Sequence, residues 1–166
     1  MKGKLLTILF LFFIILIVDY KLSFYGKNYG LLSVQLPYGF NTDFDKLDGF
    51  KIEEEGFVQV IGKGDKIEDN IVISEIIEYA YDSFGLYCKI RDVNQHLYVI
   101  SVVYDDNRPM GNKILFSLIN FNKLGKELNW ITVLNNSSIQ LLETFRIILL
   151  ILILVTLFSL VRNSFK

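Results

Sequence analysis

Three groups of carboxylates are the first residues in this chain whose types and spacing could do chemistry: Asp43, Asp45 and Asp48; Glu53, Glu54 and Glu55; and Asp65, Glu68 and Asp69. Oxygen donors at that density suggest a divalent cation, and the spacing is the test. A calcium loop of the EF-hand type needs ligands at positions 1, 3 and 5, glycine at 6 and glutamate at 12. Counted from Asp43, position 5 is Leu47 and position 6 is Asp48, so the template fails. Solvated turns and strand edges account for these acids better, and charges on an edge discourage sheet-to-sheet aggregation. No metal-ligating residue is assigned and no cofactor is expected.

The single histidine, His96, could act as an acid–base group if Asp92 or Asp105 oriented it. It lies at a strand start with no cysteine or second histidine nearby in sequence, so a surface hairpin position is the expectation. The single cysteine, Cys88, alternates with Leu86 and Ile90 and is expected to be a buried, inert thiol. Exposed on an exported domain, it could instead join two protomers, which makes a homo-oligomer an additional partner state. One cysteine also excludes an intramolecular disulfide framework and any multi-cysteine zinc site. No GxSxG, SxxK, HExxH, phosphate-loop or dinucleotide-binding pattern occurs. No catalytic or cofactor-binding residue is assigned, and the chain is expected not to be an enzyme. A net charge of −1 gives no basic footprint for nucleic acid.

The elements that must position these residues follow from where the apolar side chains sit. Hydrophobic residues make up 52% of the 166, against an ordinary charged fraction of 21%. The excess is at the two ends. Leu5–Val18 is fourteen residues with only Thr7 polar, the length of a signal-peptide core and short of the ~20 residues a span needs. Tyr20 extends the apolar length if Asp19 sits among the lipid headgroups. The residues that follow, Asp19 to Phe24, are mostly too bulky for a cleavage site, so an uncleaved anchor over 1–20 is expected.

The second apolar run, Ile147–Val161, is apolar on every face, with Thr156 and Ser159 able to bond back to a carbonyl one turn earlier. With the capping types Asn135, Asn136, Ser137 and Ser138 upstream, a membrane helix from about Ile139 to Val161 would be about 34 Å long. Glu143 and Arg146, three residues apart, are expected to pair at the membrane surface. Only five residues follow Val161, so no cytoplasmic signalling domain is expected.

Charge sets the expected orientation. Residues 19–146 hold 13 basic and all 18 acidic residues, a net −5, while Lys2, Lys4, Arg162 and Lys166 make the tips +4. Short cationic tips favour the cytoplasmic side. Both termini are therefore predicted cytoplasmic and residues 21–138 extracytoplasmic. A single alanine and two prolines, against abundant Ile, Leu, Asn, Lys and Phe, indicate an AT-rich coding sequence and favour a bacterial inner (cell) membrane.

Between the helices, the pattern predicts an α+β chain whose central part, 21–136, is a small β-rich antiparallel meander. Strands are expected at Leu31–Leu36, Phe50–Ile52, Gly56–Ile61 and Ile131–Leu134, with Asn41–Gly49 as an acidic turn. Ile71–Asp82 admits a helix, since Ile73, Ile76, Ile77 and Ala80 fall in register. Its Ile, Val and Tyr content favours a strand, followed by hairpin strands from Leu86 and Leu97. Lys113–Phe116 would add a strand and Ser117 would cap a short helix near 118–128. Phe24, Tyr25, Tyr29 and Trp130 suit a membrane interface, whereas Tyr79, Tyr81 and Tyr98 are expected in the core.

The stretches YGFNTDF, IVISEIIEYAYDSFGLYCKI (71–90) and LYVISVVYD resemble small bacterial envelope β-domains built from aromatic-rich strands, a Tyr-x-Tyr-Asp turn and a strand with a central lysine. The resemblance covers half the chain and implies a membrane-anchored β-rich domain, with no chemistry to carry onto any residue. The expected function is non-enzymatic: an anchored envelope protein that contacts the lipid bilayer and binds another membrane or envelope protein. The alternative is an immunity or inhibitor protein against a periplasm- or membrane-acting toxin.

Overall fold

The computed structural model describes residues 2–27, 34, 36–54, 58–68, 71–83, 85–104, 114–119 and 128–164. Two apolar helices, long enough to cross a membrane, flank an antiparallel β-rich domain in chain order. The chain divides into two compact units, Met1–Ser33 with Leu134–Lys166, and Val34–Val133.

The first unit pairs α1 (Lys2–Ser23) with α2 (Asn136–Ser164). Neither has a polar stripe: Leu6, Phe10, Phe13 and Ile17 on α1 and Ile151, Leu154 and Phe158 on α2 are all exposed. Water would not leave such a surface uncovered, which is the pattern of a helix solvated by lipid. α2 starts on a cap, the Asn135 side chain accepting the Ser138 N–H at 2.8 Å. Thr156 does bond back to the Leu152 carbonyl, at 2.7 Å.

Polar contacts hold the helix pair at both ends. At one, the Lys4 ammonium donates to the Ser159 hydroxyl at 2.6 Å. At the other, the Arg146 guanidinium donates to Asp19 Oδ1 at 2.8 Å and to the Lys27 carbonyl at 2.9 Å. These contacts make the helices antiparallel. They also correct one expectation. Arg146 is buried and reaches across to α1, where Asp19 is fully buried as well, rather than serving as a surface partner for Glu143. Residue spacing along one helix carries no information about the facing helix, which supplies the partner here.

The end of α1 is built for this contact. Gly26 takes φ +68°, which only glycine adopts freely, and donates to the Ser23 carbonyl, while the Lys27 N–H reaches back to the Leu22 carbonyl at 3.1 Å. This is a Schellman closure, and it delivers the Lys27 carbonyl to Arg146. Tyr25, expected at a membrane interface, is buried here; Tyr20 and Phe24 meet edge to face at 5.2 Å.

The second unit contains two sheets. The smaller has strand order β1 (Asn41–Asp45), β2 (Gly49–Glu54), β3 (Val58–Ile61). The larger runs β4 (Lys66–Glu68), β5 (Ile71–Tyr81), β6 (Leu86–Asp92), β7 (Leu97–Tyr104), β8 (Ile114–Leu118), with β9 (Ile131–Thr132) also paired to β5. The meander over β5, β6 and β7 agrees with expectation. Leu86, Cys88 and Ile90 all turn inward, and Tyr79 stacks on Phe50 at 5.2 Å in the core.

Some expectations are corrected or only partly covered by the described residues. Asn41–Asp45 is a strand, not a turn, because Thr42 and Phe44 alternate inward opposite Ile52 and Phe50; only residues 46–48 turn, with Asp45 accepting the Leu47 N–H at 2.7 Å. Lys66–Glu68 is an edge strand paired with the start of β5, a strand-edge position of the kind expected for the acids of that group. Ser117 is not a helix cap but a β8 residue opposite Ser101, and most of the helix expected near 118–128 lies outside the described residues, as does most of 31–36. Beyond that segment, Pro37–Gly39 forms one 3-10 turn with Tyr38 in the left-handed region.

The buried ion pair gives a test. Replacing one partner of such a pair strands the other, at a cost of about 3 kcal/mol or more, whereas replacing both with apolar residues is close to neutral. Asp19→Asn or Arg146→Leu should loosen the helix pair, read as lower energy transfer between probes near Lys4 and Ser164. The double variant Asp19→Leu/Arg146→Leu should recover most of it.

Candidate binding groove

Hairpin register places the charged residues of the large sheet side by side on one face. Lys89 stands opposite Glu78 on β5 and Val99 on β7; Arg91 stands opposite Glu75 and Leu97. Each cation bonds its carboxylate, Lys89 to Glu78 and Arg91 to Glu75. The face is therefore striped, with an acidic column on β5, a basic column on β6 and an apolar column on β7. On the apolar column, Leu97 is 67% exposed and Val103 39%.

A groove of about 470 Å3 runs across these columns, lined by Ile77, Glu78, Lys89, Leu97, Tyr98 and Val99. Two further residues hold its polar end. The Lys89 ammonium lies 4.4 Å from the centre of the Trp130 ring, a cation–π contact. The Thr132 hydroxyl donates to Glu78 Oε1 at 3.4 Å, and β9 brings it there by pairing Thr132 with Glu78. The Glu78–Lys89 pair is partly covered, with side-chain exposures of 23% and 29%. Pairs this accessible add at most about 1 kcal/mol to stability.

The residues singled out from sequence are dispersed by the fold. Asp43 and Glu53 share Lys51, at 3.4 and 2.6 Å. The hydrogen bond to Glu53 raises the Lys51 ammonium above its ordinary range; desolvation opposes this, and the Glu53 and Asp43 charges reinforce it. Asp65 accepts the Gly62 N–H and the Gln59 amide, both at 2.8 Å, and so shapes a turn. Glu55, Asp69 and Asp105 lie outside the described residues. Among the described residues no group of three or more His, Cys, Asp or Glu side chains is placed to hold a metal ion.

His96 and Asp92 do meet. The Asp92 carboxylate is buried, accepts the His96 backbone N–H at 2.7 Å and lies 3.5 Å from the exposed ring. Burial pulls the Asp92 carboxyl up, but the His96 and Asn94 N–H groups and the nearby ring outweigh it and hold the group below the ordinary carboxylate value. The arrangement fixes the β6–β7 turn. Cys88 is fully buried, and desolvation pushes its thiol far above the usual range, so it cannot link protomers while the domain is folded.

The groove has no local signature in the sequence. Its charges were visible in sequence, with Tyr87, Lys89 and Arg91 on one face, but opposing Lys89 to Glu78 requires the irregularities in β5. Trp130 covers Lys89, a contact that no local sequence pattern indicates.

Two measurements follow. Asp92 contributes stability fully above the unfolded carboxyl value of about 3.9, and loses it as pH falls through the lower folded value. The His96 amide resonance should therefore titrate with a midpoint below that value, and Asp92→Asn should abolish the step. Cys88 should resist a thiol reagent at pH 8 in the folded chain and react fully in denaturant. No protein-family model matches this chain, and no curated protein or solved structure is significantly similar to it.

Proposed function

We propose that the chain is a membrane-anchored protein of a bacterial inner membrane, with both termini cytoplasmic, whose extracytoplasmic β domain binds another membrane or envelope protein and catalyses no reaction. The observation that supports binding is the striped sheet face. It sets opposite charges in adjacent columns and leaves Leu97 and Val103 exposed beside them. An apolar centre with charges arranged for register and specificity is the surface chemistry of recognition. The orientation rests on the basic tips, Lys2, Lys4, Arg162 and Lys166, and on translocation of long loops largely regardless of charge.

Two experiments on the full chain in its membrane test these statements separately. Alkaline phosphatase inserted at Gly64 should be active and the same enzyme at either terminus inactive; the reverse pattern overturns the orientation. A photo-crosslinking residue at Leu97 should give one discrete adduct with a second protein. Charge reversal on both columns, Glu75→Lys with Arg91→Glu, keeps the internal pair but should lower the adduct yield about tenfold, equivalent to about 1.4 kcal/mol of binding. An adduct indifferent to the reversal would mean that this face does not recognise the partner.

A further inference from the structure

We propose that the groove across β5, β6 and β7 binds a small zwitterion with an apolar body: a free aliphatic amino acid or a short apolar peptide. This goes beyond docking of a protein partner and does not depend on it. The volume, about 470 Å3, falls within the range of small-molecule sites. The lining is divided as such a ligand requires. Ile77, Leu97 and Val99 form apolar walls, and the polar end holds one carboxylate, Glu78, and one ammonium, Lys89.

The charge pattern selects the ligand class. An anion drawn to Lys89 would face Glu78, and a cation drawn to Glu78 would face Lys89. A molecule carrying both charges satisfies both groups, its ammonium on Glu78 and its carboxylate on Lys89, with the net charge of the site unchanged. For the ligand to enter, the Glu78–Lys89 pair must open. A pair of this exposure contributes little. Each member also keeps a second contact when they separate, since Thr132 remains on Glu78 and the Trp130 ring remains against Lys89. Neither charge is stranded, so the pair acts as a placeholder for the ligand's own two charges.

Trp130 is the only tryptophan in the chain, so its emission reports on the groove directly. The full chain in lipid nanodiscs would be titrated with L-leucine and with L-leucyl-L-leucine. The expected result is a saturable change in emission for at least one of them, weakened at least tenfold by Glu78→Gln and by Lys89→Met. N-acetyl-L-leucine amide, which has the same apolar body and no charge, should not compete. Leu97→Glu, at a strongly exposed position that the core does not use, should weaken binding to a similar degree and stands as the test if a charge variant folds poorly. The proposal is overturned by the absence of a saturable response up to about 10 mM of either zwitterion. It is equally overturned by equal binding of the neutral analogue, or by an affinity indifferent to Leu97→Glu.

Discussion

The β domain depends on one strand whose backbone departs from simple alternation. β5 runs eleven residues and pairs with β4, β6 and β9. A regular strand turns every second residue to the core. β5 shifts register between Ile73 and Glu75 and again between Ile76 and Glu78, so its inward side chains step through Ile73, Ile76 and Tyr79, with Ile71 and Ala80 buried as well. Each irregularity adds one residue against the partner strand. The inward residues are thereby brought onto Asp92, Ile90 and Cys88 of β6, and the outward ones, Glu75 and Glu78, onto Arg91 and Lys89. Without both shifts, one of the two acids would turn toward the core, where an unpaired carboxylate is costly. Core and groove thus share a cause.

The helix pair meets a different constraint. In a bilayer, lipid would offer no hydrophobic drive for one apolar helix to leave it for another, so association would rest on side-chain packing together with the few polar groups that lipid solvates poorly. Lys2 and Lys21, both exposed, are about 28 Å apart along α1, close to the thickness of a hydrocarbon core. Asp19 lies two residues inside that boundary and turns to Arg146. A lone acid near that depth would weaken α1 as an anchor, and the short apolar run Leu5–Val18 leaves little margin. Ionisable groups at such positions face a protein neighbour rather than lipid, and Asp19 does so.

The sequence reading and the structure agree where a signal is local and part where it is not. The two helices, the β5–β6–β7 meander, the inward Cys88 and the cap at Asn135 each follow from residues within one or two turns of one another. β1 was read as a turn because Asp43, Asp45 and Asp48 outweighed the inward alternation of Thr42 and Phe44, although one acid caps the following turn and another meets Lys51. The helical register seen in Ile73, Ile76, Ile77 and Ala80 is the trace of the β5 irregularities, which convert a period of two into one nearer three. The groove and the helix pair are each closed by residues far apart in sequence, Glu78 with Thr132 at 54 residues and Asp19 with Arg146 at 127. Pairing at that range depends on topology that no local pattern carries.

The two polar ties of the helix pair also bear on how the sequence can drift. Lys4 and Asp19 are fifteen residues apart on α1, and their partners Ser159 and Arg146 are thirteen apart on α2. The long lysine side chain takes up the difference of about 3 Å in rise. Leucine, isoleucine and phenylalanine can exchange freely at the exposed positions between these ties. A single insertion or deletion there would turn one tie by about 100° relative to the other and break it. Descendants of this chain should therefore differ widely in the composition of both helices and hardly at all in the number of residues between the ties.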